Sequence, residues 1–147
     1  MLQVKHAEEM NERADDILKQ NHLSVTGSRV KILNLFLERK GALAHGDIEK
    51  KFGGSFDRVT IYRTLQTFLD KGIIHSIPTA DNSVQYALCK DECSAGHHHD
   101  HHVHFICNQC GVTVCLDDVH IPIVKLPNGF TSTQVQMIVS GICNDCK

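Results

Sequence analysis

The strongest chemical pattern in the sequence is a pair of Cys-x-x-Cys segments, Cys107–Cys110 and Cys143–Cys146. Each segment can place two thiolates about 3.5 to 4 Å apart on one tetrahedral ion with Zn–S bonds near 2.3 Å. Together they predict a closed four-thiolate zinc site, one per monomer, with a structural role because no coordination position stays open. The alternative is two unrelated redox or accidental pairs.

A second pattern is the histidine-rich run 97–104, which leads directly into a predicted strand at 102–107. Because side chains alternate along a strand, His102 and His104 should share one face with Ile106, and Cys107 should point to the other. The imidazole pair and the thiolates are therefore expected to bind different ions.

Two histidines on one strand need further ligands from elsewhere to complete a metal site. His75 and Cys89 are favoured, because pairing of a predicted hairpin brings them to the same end of it. A thiolate in the set favours zinc over iron or manganese. The alternative keeps His75 as a half-buried strand residue and Cys89 as an apolar filler. Weaker candidates are Cys93, His101 and Cys115.

Hydrophobic periodicity predicts four helices in the first half of the chain. They are residues 7–20, a helix that starts at 26–28 and stops at Gly41, residues 47–52, and a longer helix capped by Ser55 or Asp57. The last of these should bury Ile61, Leu65, Phe68 and Leu69 and end at Gly72.

Strand patterns follow these helices. Runs at 73–77 and 84–88 predict a hairpin, so helices with a two-stranded wing indicate a winged helix-turn-helix; a helical domain with an incidental hairpin is the alternative. Further strands are predicted at 102–107, 111–116 and 131–139, where Pro122 and Pro127 limit the last connection to a short helix or turn. The predicted fold is α+β: a winged-helix domain over 1–88, a hinge at about 88–92 and a small α/β domain over 93–147.

Charge and cysteine usage also divide the chain. Residues 21–75 hold nine Lys or Arg against five acids, whereas residues 89–147 hold three Lys, no Arg, six acids and all seven cysteines. The chain has no run of about 18 apolar residues, and its start is charged, so we expect a cytoplasmic protein without membrane contact. In a reducing compartment the cysteines favour metal binding over disulfides.

Four segments in order resemble the ferric uptake regulator (Fur) family: Thr26-Gly-Ser-Arg-Val-Lys-Ile-Leu33, Val59-Thr-Ile-Tyr-Arg-Thr-Leu65, His104-Phe-Ile-Cys-Asn-Gln-Cys-Gly111 and Gly141-Ile-Cys-Asn-Asp-Cys146. The resemblance covers residues from about 10 to the end. It implies a DNA-binding domain, a dimerisation domain, a structural four-cysteine zinc and a sensor site at the hinge. In the family's zinc uptake regulators the sensor ligands correspond to His75, Cys89, His102 and His104. Cys115 stands where some members carry an acidic ligand.

By the same resemblance the helix around Tyr62 should recognise double-stranded DNA. Tyr62 should contact bases, Arg63 should bind phosphate, Arg58 should reach a base edge or phosphate, and Thr60 belongs to the same surface. The alternative makes Tyr62 a core aromatic and both arginines a solvated face.

The expected function is a homodimeric, zinc-responsive repressor of metal uptake genes that binds a palindromic operator when a second, regulatory zinc is bound. A regulator responsive to iron, manganese or peroxide is the nearest alternative. Outside the family, a zinc buffer and a zinc hydrolase are the alternatives. No enzymatic activity and no small-molecule substrate are expected, because Glu is absent after residue 92 and no H-E-x-x-H segment occurs.

Overall fold

A computed structural model describes residues 2–39, 41–89 and 102–147. The chain forms two compact units, Met1–His98 and His99–Lys147. The predicted hinge partly falls outside the described residues, and so do Cys93 and His101. The architecture is α+β, because the helices belong to the first unit and each unit carries its own small sheet.

Four helices build most of the first unit: α1 (Leu2–Gln20), α2 (Gly27–Glu38), α3 (His45–Phe52) and α4 (Arg58–Asp70). Thr26 caps α2 by accepting from the backbone N–H of Arg29. Asp57 rather than Ser55 caps α4, because its carboxylate accepts from the N–H of Thr60 at 2.6 Å. Within the described residues, none of the helices has both the length and the apolar character needed to cross a bilayer.

The sheet of the first unit contains the predicted hairpin and one additional strand. Strands β2 (Ile74–Pro78) and β3 (Val84–Leu88) pair antiparallel, and β1 (Leu43–Ala44) pairs with the other edge of β3. A two-residue strand carries no alternation signal, which is why the sequence did not reveal β1.

Helices and sheet enclose one apolar core. Its fully buried members come from every helix and from β1 and β2: Leu18, Ile32, Leu33, Leu43, Ile48, Ile61, Leu65, Phe68 and Ile74. The inner face of α4 is the predicted one, except that Leu69 is only partly buried. Burial of Ile61, Leu65 and Phe68 fixes the rotation of α4, so its opposite face lies toward solvent.

The second unit contains strands β4 (His102–Cys107), β5 (Thr113–His120) and β6 (Met137–Gly141), then a single 3₁₀ turn at Asn144–Cys146. The order is β5-β4-β6, with β4 antiparallel to β5 and parallel to β6. The prediction of β4 is confirmed. The sequence predicted a small α/β module here. Within residues 102–147 its helical structure is limited to the 3₁₀ turn.

Two strand predictions in this unit had wrong boundaries. The strand expected at 111–116 runs over Thr113–His120, and the strand expected at 131–139 is Met137–Gly141. Parallel pairing fixes β6, since Met137 lies opposite Val103 and Gly141 opposite Cys107. The described pairing with β4 begins at Met137, so residues 131–136 lie outside β6. The proline-containing connection is irregular with a turn at 128–129, as its prolines predicted.

Candidate metal centres and nucleic-acid interface

Four cysteine sulfurs converge in the second unit. The Sγ atoms of Cys107, Cys110, Cys143 and Cys146 all lie within 4.8 Å of one another. The Cys110 and Cys143 sulfurs are 3.7 Å apart, close to the spacing of two thiolates on a tetrahedral ion with bonds near 2.3 Å. Four sulfurs at this spacing fit a zinc ion and leave no open coordination position.

Strand pairing holds the two Cys-x-x-Cys segments side by side. Cys107 ends β4 opposite Gly141, and the N–H of Asn108 donates to the Gly141 carbonyl at 2.8 Å. The first segment turns back through Gly111, whose φ of +74° lies in the left-handed region that glycine adopts without a steric penalty. The segment that carries Cys143 and Cys146 is therefore held beside the end of β4.

The ionisation of this cluster is asymmetric. The backbone N–H of Cys110, followed by that of Cys143, stabilises the Cys107 thiolate and lowers its pKa to about 6. A hydrogen bond with Cys143 raises the pKa of Cys146 to about 12, and burial raises the pKa of Cys143. Since neighbouring thiolates repel each other, the cluster needs a cation to ionise fully.

In the first unit the structure brings His75 and Cys89 together. His75 is only 2% exposed in β2, and its Nδ1 lies 3.4 Å from the Cys89 sulfur just after β3. The backbone N–H of Cys89 donates to the Ile73 carbonyl at 2.9 Å, which fixes the chain after β3. This pair could supply two ligands of a metal site.

In the second unit His102, His104 and Cys115 form another candidate ligand set. Their potential ligand atoms lie within 4.8 Å of one another, and the two imidazole centroids are 4.6 Å apart. β4 carries both histidines, and β5 places Cys115 opposite His104. From the sequence alone Cys115 is only a weak candidate, because residue spacing does not show that β4 and β5 pair.

The strand register also brings a further histidine, His120, next to this set. A bulge between His102 and Val103 places His120 of β5 opposite His102. This three-residue shift in register leaves no signal in the sequence.

The exposed face of α4 carries the four residues expected to contact DNA. Tyr62 is 60% exposed, which excludes the alternative that it is a core aromatic. Arg58 and Arg63 are also exposed, and Thr60 is half-buried. An aromatic ring flanked by two guanidiniums on a rigid helix suits base and phosphate contacts.

A cavity of about 210 Å³ lies beside this face, between the start of α2 and α4. Arg29 and Arg63 line it together with hydroxyl-bearing side chains. Arg29 is held in place because its Nη1 donates to the Ser24 carbonyl at 2.9 Å and to the Ser24 hydroxyl at 2.6 Å. Two guanidiniums near a helix N-terminus form a positive site suited to phosphate.

Comparison with known proteins gives consistent matches over most of the chain. Residues 20–139 match the family model described as the ferric uptake regulator family. A ferric uptake regulation protein of Staphylococcus epidermidis is 36% identical, with 89% of this chain and 92% of that protein covered. A peroxide-responsive repressor of Staphylococcus saprophyticus is 27% identical over 88% of this chain and 86% of its own.

The fold is also shared with a solved structure described as a zinc uptake regulator complexed with zinc and DNA. The TM-score is 0.65 at 21% identity, and the alignment covers 95% of this chain and 94% of the other. At this identity the likeness shows a common fold.

Proposed function

The chain belongs to the ferric uptake regulator family of metal-dependent transcription regulators, and on that premise we propose that it is a zinc-responsive repressor of metal uptake genes. Members of this family are regulators rather than enzymes, which confirms the expected lack of catalytic activity and removes the zinc hydrolase from consideration.

The proposal rests on one observation: each candidate set of sensor ligands contains a cysteine sulfur. His75 and Cys89 adjoin in the first unit, and His102 and His104 adjoin Cys115 in the second. Neither set alone reaches the four ligands of a tetrahedral ion. We propose that His75, Cys89, His102 and His104 share one regulatory Zn²⁺, with Cys115 as the substitute ligand, since thiolate and imidazole together favour zinc.

A shared ligand set provides the regulatory switch. Ligands from two domains bind the ion more tightly when the domains adopt one fixed arrangement, so metal binding shifts the population toward it. In a homodimer this would present two copies of α4 about one helical turn apart, to match a palindromic operator. The four-cysteine zinc has a separate, structural role in this scheme.

Residues of the first unit would then contact the DNA. Tyr62 is exposed for apolar contact with thymine methyl groups, and Arg63 and Arg29 border the positive cavity for a backbone phosphate. Ser24 stands where some family members carry a basic residue, and the Arg29 guanidinium bonded to it supplies a positive charge there.

Exposed apolar side chains in the second unit support self-association. Phe130 is 70% exposed, and Ile123 and Val124 are also exposed. Apolar residues of β6 are exposed as well, namely Met137, Ile138 and Val139, and exposed apolar patches mark interaction sites. We propose that this surface forms the homodimer contact.

Regulation by iron or peroxide is the second candidate, because the relatives include ferric uptake regulation proteins and a peroxide-responsive repressor. A ligand set of nitrogen and oxygen atoms would favour iron or manganese. The thiolates of Cys89 and Cys115 are the feature that argues for zinc instead.

Metal titration with DNA binding as the readout tests the proposal. The chelated protein is mixed with the promoter region of its own gene neighbourhood, and Zn²⁺, Fe²⁺ or Mn²⁺ is added at buffered free concentrations. Zinc should restore binding at the lowest concentration. His104→Ala should abolish this response and retain the four-cysteine zinc, whereas His6→Ala, on the exposed side of α1, should behave as the wild type. Equal DNA binding without regulatory metal would contradict the proposal.

A further inference from the structure

We infer that Glu49 is a positioning residue that makes Arg58 a guanine-selective contact. The inference rests on the proposed DNA-binding role of α4 and goes beyond it, because it assigns a base preference and names the residue that sets it. The evidence for it is an ion pair between Glu49 of α3 and Arg58, the first residue of α4.

The geometry of the pair is specific to one nitrogen of the guanidinium. Arg58 donates from Nε to Oε1 of Glu49 at 2.7 Å. The same carboxylate oxygen lies 3.4 Å from Nδ1 of His45, one helical turn earlier on α3. The Arg58 side chain is 81% exposed and that of Glu49 30%, so the guanidinium projects into solvent from a partly sheltered anchor.

Both partners have fixed backbones. Glu49 follows Ile48, which is fully buried in the core. Arg58 follows Asp57, whose carboxylate caps α4. The pair therefore joins two rigid helices rather than two loops, and the direction of the Arg58 side chain is set by both.

The contact leaves the other edge of the guanidinium available. With Nε–H donated to Glu49, the terminal Nη1 and Nη2 groups remain as two parallel donors. That pair matches the O6 and N7 acceptors of guanine in the major groove. Residues at the N-terminal end of a recognition helix are the ones that reach base edges, and Arg58 is the first residue of α4.

The stability of the folded protein does not explain the Glu49–Arg58 ion pair, because exposed ion pairs contribute little to the free energy of unfolding. An acid beside a DNA-binding helix also repels phosphate and weakens binding to every sequence. Its expected benefit is selectivity: a tethered guanidinium engages guanine at a fixed position instead of the nearest phosphate.

Selection from randomised DNA provides the test. Zinc-loaded protein is incubated with duplexes carrying about 20 randomised base pairs, two helical turns, and bound sequences are counted for each variant. The wild type should prefer guanine at one position per half-site by about 5- to 150-fold over other bases. Arg58→Ala should remove this preference and retain the preferences at other positions.

Variants of Glu49 then separate positioning from charge. Glu49→Ala should reduce the guanine preference to within about twofold of the Arg58→Ala value, and Glu49→Gln, which keeps an acceptor oxygen, should retain part of it. In the Arg58→Ala background, Glu49→Ala should change the preference less than twofold. Glu38→Ala, which removes an exposed acid from the end of α2, is the control for charge.

The outcomes distinguish the inference from the proposed function. If Glu49→Ala and Glu38→Ala both strengthen binding to all sequences equally, and guanine selectivity persists in Glu49→Ala, the positioning role is overturned. An unchanged profile in Arg58→Ala overturns it as well. A zinc-loaded wild type that enriches no sequence overturns the proposed function and the inference with it. Circular dichroism of each variant verifies that the helices are intact.

Discussion

The sulfur of Cys89 lies 3.4 Å from Nδ1 of His75, although the two residues are 14 positions apart in the chain. Antiparallel pairing of β2 and β3 creates this proximity, because it sets Ile74 opposite Leu88 and leaves Cys89 at the base of the hairpin. The first unit thus holds one nitrogen and one sulfur atom close enough to share a metal ion.

Replacing Cys89 with serine should weaken binding of the regulatory zinc by at least about 100-fold, because removal even of outer-shell partners costs about 10- to 100-fold. The readouts are zinc competition with a chromophoric chelator and the thiolate-to-metal charge-transfer band after cobalt substitution. Cys115→Ser is the matched variant, and a larger loss there than in Cys89→Ser would make Cys115 the primary ligand. Unchanged affinity in both variants would argue against zinc.

Replacing Cys146 with serine should remove the structural zinc and unfold the second unit. The strands β4 to β6 bury few side chains, and structural zinc binding contributes on the order of 10 kcal/mol in small domains. Metal content per monomer and thermal unfolding measure the effect, with Lys125→Ala, an exposed change in the same unit, as the control. Full zinc content and an unchanged Tm in Cys146→Ser would contradict the four-sulfur site.

Replacing Arg29 with alanine should weaken DNA binding about equally for all sequences, because its guanidinium borders the cavity assigned to a phosphate. The slope of log K against log salt should fall by about 1. Lys125→Ala, in the second unit, removes the same charge and should leave the slope unchanged. A sequence-dependent loss in Arg29→Ala would instead indicate a base contact.

The tip of the wing should show an unusually acidic carboxyl group. The Thr79 hydroxyl and then that of Ser83 donate to Asp81 and lower its pKa to about 2, from 3.8. Because the folded pKa lies below the unfolded one, its stabilising contribution is present above pH 4 and is lost as the pH falls toward 2. Carbon-13 NMR titration of the Asp81 carboxyl should give a midpoint near 2. Thr79→Val should move that midpoint toward 3.8; a wild-type midpoint already there would contradict these hydrogen bonds.

Replacing Phe130 with alanine should weaken the homodimer, because its ring is 70% exposed in the single chain. An aromatic anchor in an interface contributes about 2 kcal/mol, roughly a 30-fold change in dimer Kd. Sedimentation equilibrium measures this Kd. Val25→Ala, an exposed apolar change in the first unit, serves as the comparison, and equal dimerisation of all three proteins would place the interface elsewhere.

Local patterns determined much of this protein from sequence alone. Apolar residues at helical spacing located α2 and α4, since a helix that buries one face must repeat about every 3.6 residues. Alternation of apolar and polar residues located β2, β3 and β4, since successive side chains of a strand point to opposite faces. The two Cys-x-x-Cys segments indicated a shared ion because each segment can place two thiolates on one tetrahedral zinc.

Only the tertiary structure decided which distant residues meet. Cys115 lies opposite His104, β6 begins at Met137, and Glu49 holds Arg58, and in each case the partner belongs to another element. Residue types and spacing determine which secondary structure a segment forms and which of its faces is apolar. Register and the rotation of packed helices depend on the whole core, so neither the position of Cys115 opposite His104 nor the orientation of Arg58 could be derived before the elements were assembled.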